Sequence, residues 1–167
     1  WVIATPWASG TFQVDWDYDA FGRPKTTQYP DVPGIAPRFT VSQSYRNGFL
    51  EKVWDPSTGE AYWTAEAYEE DGQLRDALLG NRLRTTRIHD PASRRLLAQH
   101  LSDTSTGVDV ETSAYFYHDD GNVQTRHRIV KHPGFSWTAD EYTYDSLDRL
   151  RTWTSVGDRT AHVEHDY

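Results

Sequence analysis

Seven histidines and 25 acidic residues give this 167-residue chain the raw material for metal binding or acid–base chemistry, so their spacing is the first question. The tightest group is HVEH, residues 162–165. A metal would need both imidazoles on one side, whereas strand residues three apart face opposite ways, so His162 and His165 read as surface or turn-packing residues. ETSAYFYHDDGN, 111–122, offers Glu111, His118, Asp119 and Asp120, but the last three fall where turn geometry already accounts for their types. DPSTG and DPASR, with Asp55-Pro56 and Asp90-Pro91, likewise sit at turn positions. The paired carboxylates of a glycoside hydrolase are defined by a separation in space, and no Asp or Glu stands apart from a turn signal. Ser and His occur without a GxSxG elbow, a phosphate-cradling loop or an HExxH helix. The expectation is a non-enzyme with no catalytic residue, no metal ligand and no cofactor.

Charge and composition narrow the partners. Against the acids stand 17 basic residues, and the net charge of −8 would repel a phosphate backbone, which argues against nucleic acid. The chain has no cysteine, so neither a disulfide scaffold nor a thiolate metal site is open to it. No apolar run approaches membrane-spanning length. It opens with Trp1 and reads as a piece of something longer. Aromatics make up 14% of the residues, with ten Tyr and seven Trp. Such rings suit a broad, half-wet sheet better than a compact aliphatic core, so the class expected is all-β.

The elements follow from an internal repeat. An aromatic followed by an acid or its substitute recurs at Tyr18-Asp19, Trp54-Asp55, Tyr68-Glu69, His89-Asp90, Tyr117-His118, Tyr144-Asp145 and His165-Asp166. The second positions are separated by 36, 14, 21, 28, 27 and 21 residues. Three or four places on come Gly22, Gly59, Gly72 and Gly121, with Asp148 standing in at the last full copy, and Arg23 and Arg149 follow the first and last of these. This is the order of a β-turn: an Asp side chain accepts a hydrogen bond from the backbone two residues on, and Gly takes the left-handed conformation that returns the chain to a strand. Asp148 can adopt that conformation at modest cost. Rings alternate before the turn, as in Tyr115-x-Tyr117 and Tyr142-x-Tyr144, so that each pair projects to one face.

Asn47-Gly48 between two strand-like runs signals a further hairpin, and Gly80-Asn81 repeats the idea. Breaks at 103–107, 132–134 and 156–158 complete an antiparallel meander of long hairpins, interrupted by the Pro-rich connection 29–37. Two segments carry a competing helical signal. GQLRDALLGN, 72–81, could be a short helix closed by Gly80, and DPASRRLLAQHL, 90–101, offers Asp90 as N-cap and Pro91 at the first helical position. Local signals leave helix and strand open, while the place of both segments in the repeat favours turn plus strand. The aromatic stripe also admits an alternative, a sugar-stacking platform using Trp54, Trp63 and Trp153, against the plainer reading of cross-strand ring packing.

The motifs YDAFGRP, YTYDSLDRL and YHDDGNV, with the run YWTAEAYEEDGQLRDALLGNRLRTTRIHDPASRRLLAQ, resemble the YD repeats of Rhs proteins, of the B and C components of bacterial Tc toxins, and of the teneurin shell. The resemblance covers about residues 11–167 and is weakest over 24–48. Departures are Asp148 and Arg94 where glycine is usual, and His89 and His165 for tyrosine. The resemblance implies a single 1–167 segment of a β-sheet that spirals into a hollow shell around a C-terminal toxin or effector, in a secreted or cell-surface bacterial protein. It also implies partners: neighbouring repeats of the same shell and the enclosed effector, with self-association of the isolated piece. The self-cleaving aspartates that such proteins carry in a C-terminal core have no counterpart here. A carbohydrate- or protein-binding cell-surface module is the alternative.

Overall fold

The structure, a computed structural model, describes residues 2–5, 8–11, 13–31, 38–131, 134–158 and 160–165. The His165-Asp166 copy of the motif and most of the Pro-rich connection therefore lie partly outside the described residues. Strands β1 (Val2–Thr5) and β2 (Ala8–Thr11) pair as a separate hairpin. Thirteen strands follow: β3 (Asp15–Tyr18), β4 (Pro24–Gln28), β5 (Thr40–Arg46), β6 (Phe49–Trp54), β7 (Ala61–Tyr68), β8 (Leu74–Leu79), β9 (Leu83–His89), β10 (Leu96–Asp103), β11 (Asp109–Tyr117), β12 (Val123–Val130), β13 (Ser136–Tyr144), β14 (Leu150–Gly157) and β15 (Ala161–Glu164). Each pairs with its neighbours in the chain, so the sheet order is the chain order, and the sheet ends at β3 and β15 without closing. The fold is all-β, one antiparallel meander with no helix among the described residues.

Both segments with helical signals are turn plus strand. Leu74–Leu79 is β8, and residues 90–94 form a turn that feeds β10. A strand with a partner on each side gains two ladders of backbone hydrogen bonds, and the small helical preference of LLAQHL does not offset them. Asn47-Gly48 is a two-residue hairpin turn with φ of 52° and 89° at its two positions and Arg46 paired with Phe49 on either side. Gly80-Asn81 lies in the turn of the β8–β9 hairpin as expected, but the left-handed residue of that turn is Arg82, at φ 66°. Gly80 serves a close approach instead. Its N–H donates to the Tyr62 carbonyl at 2.9 Å, and a Cβ there would stand 2.5 Å from the Ala61 carbonyl oxygen. The break at 156–158 also moves by a residue or so, because β14 continues through Gly157.

The chain forms two compact units, residues 1–66 with 79–81 and residues 67–78 with 82–167. In the first, Thr27, Val41, Ser42 and Ala65 are buried. In the second, the buried residues are Ala77, Thr85, Ser113, Asp140 and Ser155, and the register puts all five on one face. Small, and polar apart from Ala77, they form a floor on which Arg126 bonds to Asp140. Tyr115, Tyr142 and Trp153 share that face, since Tyr115 is opposite Arg126, Arg126 opposite Asp140, Asp140 opposite Ser155 and Tyr142 opposite Trp153. The other face carries exposed Ile88, Phe116, Ile129, Trp137 and Val156.

Candidate functional site

The repeated corners are built from an acid, a left-handed residue and the residue after it. At 19–22 the Gly22 N–H donates to the Asp19 carbonyl at 3.0 Å, and the Asp19 N–H reaches across to the Arg23 carbonyl at 2.9 Å. One carboxylate oxygen of Asp19 accepts the N–H groups of Phe21 and Arg23, at 2.8 and 3.0 Å; the other accepts the Arg23 guanidinium. Asp145 repeats this atom for atom, with Leu147 and Arg149 N–H on one oxygen and the Arg149 side chain on the other. Backbone N–H and the Arg149 side chain hold the Asp145 carboxyl below the usual carboxylate range. At Asp19 desolvation opposes the charge, and the bonds from Arg23 and Phe21 outweigh it.

The left-handed positions are Gly22, Gly59, Gly72 and Gly121, with φ of 75°, 77°, 86° and 102°. At two other corners of the repeat a residue with a side chain takes the conformation, Asp148 at 58° and Arg94 at 63°. Glu69 and His118 close their corners through the backbone, and the side-chain bonds come from further along, with Asp71 accepting from Gln73 N–H and Asp120 from Asn122 N–H. Asp55 and Asp90 lead longer corners, in which the N–H of Gly59 and of Arg94 returns to the Asp carbonyl four residues back. Asp103 belongs with them. Its carboxylate accepts the Ser105 and Thr106 N–H groups and its carbonyl the Gly107 N–H. The shared string D-x-S-T-G, at 55–59 and 103–107, was the signal available for it.

Strand direction corrects the alignment of the repeat. Corners 19–22, 69–72, 90–94, 118–121 and 145–148 all leave odd-numbered strands, whereas Trp54-Asp55 leaves β6 and Asp103 leaves β10. Trp54-Asp55 is therefore out of phase, and Tyr45-Arg46 at the Asn47-Gly48 turn holds the place in series. Taking 46 in place of 55 turns the separations of 36 and 14 into 27 and 23, in line with the rest. Tyr45 shows the same function as its counterparts. Its hydroxyl donates to the Pro24 carbonyl at 2.9 Å, that of Tyr117 to Leu96 at 2.7 Å and that of Tyr144 to Val123 at 3.0 Å, each 21 residues back. Each accepting carbonyl lies two residues past the left-handed position of the previous corner. These tyrosine clasps tie successive corners together.

The residue just past the left-handed position makes a second tie. The Arg23 guanidinium lies over the Tyr45 ring at 4.2 Å, and Arg95 lies over Tyr117 at 5.5 Å. Gln73 donates to the Arg94 carbonyl at 2.9 Å, and Asn122 to the Asp148 carboxylate at 2.9 Å. Asp71 and Arg94 add an ion pair between adjacent corners.

The acids and histidines considered for chemistry disperse into these networks. Glu111 is held by two bonds from Arg128, at 2.9 and 2.7 Å, while His118 meets Tyr144 edge-on at 6.4 Å and His162 pairs with Thr154 at 2.9 Å. Among the described residues no three His, Asp or Glu converge as a metal would require. Among the described residues one carboxylate is buried, Asp140 at 2% exposure, and it was not foreseen. Burial opposes its charge, but the Ser155 hydroxyl, two guanidinium bonds from Arg126 at 2.9 and 2.7 Å, and the Trp153 ring outweigh it and keep it ionised. Of the tryptophans named for sugar stacking, all three are half-buried, Trp153 stands opposite Tyr142, and Trp54 has the Lys52 ammonium over its ring at 5.4 Å.

No protein-family model matches the sequence, and no curated protein matches it. Among solved structures the chain is similar in fold to the TcdB2-TccC3 complex without its hypervariable C-terminal region, with a TM-score of 0.63 and 15% identity over 94% of this chain and 10% of that one. The TcdB2-TccC3-Cdc42 structure gives 0.63 and 14%, again over 94% and 10%. The Photorhabdus luminescens Tc holotoxin pore gives 0.59 and 15%, over 90% and 9%. The chain spans about a tenth of the length of these neighbours. At such identities the likeness is one of fold.

Proposed function

We propose that this chain is a non-catalytic wall segment of an Rhs-type YD-repeat shell that encloses a C-terminal toxin or effector. The observation that carries the reading is the recurrence of one corner design: an architecture that ties corners of the series together through the hydroxyls of Tyr45, Tyr117 and Tyr144, and uses its acids for turn geometry, is made to propagate as a surface. Likeness in fold to Tc toxin chains over nearly the whole length supports the same role. On this reading the chain's partners are further repeats of the same shell and the cargo within it, in a secreted or cell-surface bacterial protein. The test is electron cryomicroscopy of the full-length protein. A closed wall containing these strands, with density for a second segment inside it, is the expected result. An open sheet with solvent on both faces overturns the proposal.

A further inference from the structure

We infer that the corner between β9 and β10, residues 90–94, is the seam at which the second unit opens first. At this corner the series carries histidine where Tyr45, Tyr117 and Tyr144 stand elsewhere. An imidazole is shorter than a phenol and has no hydroxyl, so it cannot make the clasp; by the two-residue offset, the carbonyl it would reach is that of Leu74. The consequence is visible in the hydrogen bonds. His89 Nδ1 and Gln73 Oε1 are both buried and both without a partner. The two residues face each other, because continuing the β8–β9 ladder from Asp76 opposite Thr86 by three places puts Gln73 opposite His89. The same step along β10–β11 puts Arg95 opposite Tyr117, where the stacked pair is found. Buried polar atoms left unpaired cost stability where the clasp would have added it.

The same corner has a second weakness. Its left-handed position is Arg94, at φ 63°, where a side chain is disfavoured and three other corners of the series carry glycine. Besides the hydrogen bonds that Asp90 makes within the turn, what ties it to the neighbouring corner is the Arg94–Asp71 ion pair, exposed on both sides, and the bond from Gln73 to the Arg94 carbonyl. Exposed pairs of this kind contribute little. Missing clasp, unpaired polar atoms and backbone strain coincide at one corner, whereas the 118–121 corner has its clasp and its glycine, and the 145–148 corner its clasp.

Hydrogen exchange with peptide-level mass analysis of the full-length protein tests this directly. Amides of 90–96 and 72–75 should exchange faster than those of 117–123 and 144–150. The variant His89→Tyr should slow exchange at 72–75 and 90–96 by about fivefold, the factor that one net hydrogen bond corresponds to, and leave 144–150 unchanged. Equal or slower exchange at 90–96 in the unaltered protein overturns the inference, even if the variant does not fold. Uniform slowing across all corners, or none, in a folded variant overturns it as well.

Discussion

At the scale of single residues, the acids either shape corners or pair with bases along the strands, and among the described residues one is buried. Asp140 is the exception to a floor of small neutral residues, and two bonds from Arg126 hold it, with Ser155 and Trp153 also favouring its charge. Removing it leaves the Arg126 guanidinium without its acceptor. Because Arg126 is 37% exposed and can turn to water, the cost of Asp140→Ala should fall below that of a fully buried pair, at about 2–3 kcal/mol. Glu111→Ala, which breaks the more exposed pair with Arg128, should cost about 0.5–1 kcal/mol. Urea denaturation of both variants decides the matter, and equal midpoints would mean that Asp140 is no keystone. None of this was legible in the sequence, where Asp140 in TADEY looks like any polar strand residue. Its burial depends on which residues of β12 and β14 stand opposite, and register is not written in a local string.

At the scale of elements, hairpins were legible because their signals are local: an acid, a left-handed glycine and alternating rings specify a turn within half a dozen residues. The phase of the repeat was not. Trp54-Asp55 and Tyr144-Asp145 both set an aromatic before an Asp, and only the alternation of strand direction separates a corner leaving β6 from one leaving β13. The tyrosine clasps make the distinction physical, since Tyr45, Tyr117 and Tyr144 all close onto a carbonyl 21 residues back. Tyr144→Phe keeps the ring and removes the donor, leaving the Val123 carbonyl short of a bond, and should cost about 1 kcal/mol in thermal denaturation. A variant as stable as the parent would reduce the clasp to a coincidence of packing. Glycines separate in the same way. At Gly59 nothing lies near a new Cβ, so Gly59→Ala meets only the left-handed backbone, about 1 kcal/mol. At Gly157 a Cβ would stand 2.1 Å from the Trp137 carbonyl oxygen across the β13–β14 ladder. Gly157→Ala should therefore cost clearly more, about 2 kcal/mol or above, and the ranking can be read from the two melting curves.

At the scale of the whole molecule, stability rests on many modest carboxylate bonds. Hydrogen bonds from Ser57 at Asp55, from Ser93 at Asp90, from Ser105 at Asp103, from Arg94 at Asp71, and from Arg128 at Glu111 lower each carboxyl below its usual value, as the corner bonds do at Asp145. Where the folded state holds a carboxyl below its unfolded value, the stabilisation is complete above the unfolded value, near pH 4, and is lost as pH falls through the folded one. Each acid bonded in this way adds a slope of the same sign. The net charge of −8 acts the other way, since self-repulsion grows as the acids ionise, but exposed charges are screened at ordinary salt. The bonded acids should therefore win, giving a plateau from about pH 5 upward and a steep fall between about pH 4 and 2. Urea midpoints followed by tryptophan fluorescence in moderate salt across that range provide the check. A stability maximum below pH 4 would mean that repulsion among the acids, rather than their service in the corners, sets the acid response of this sheet.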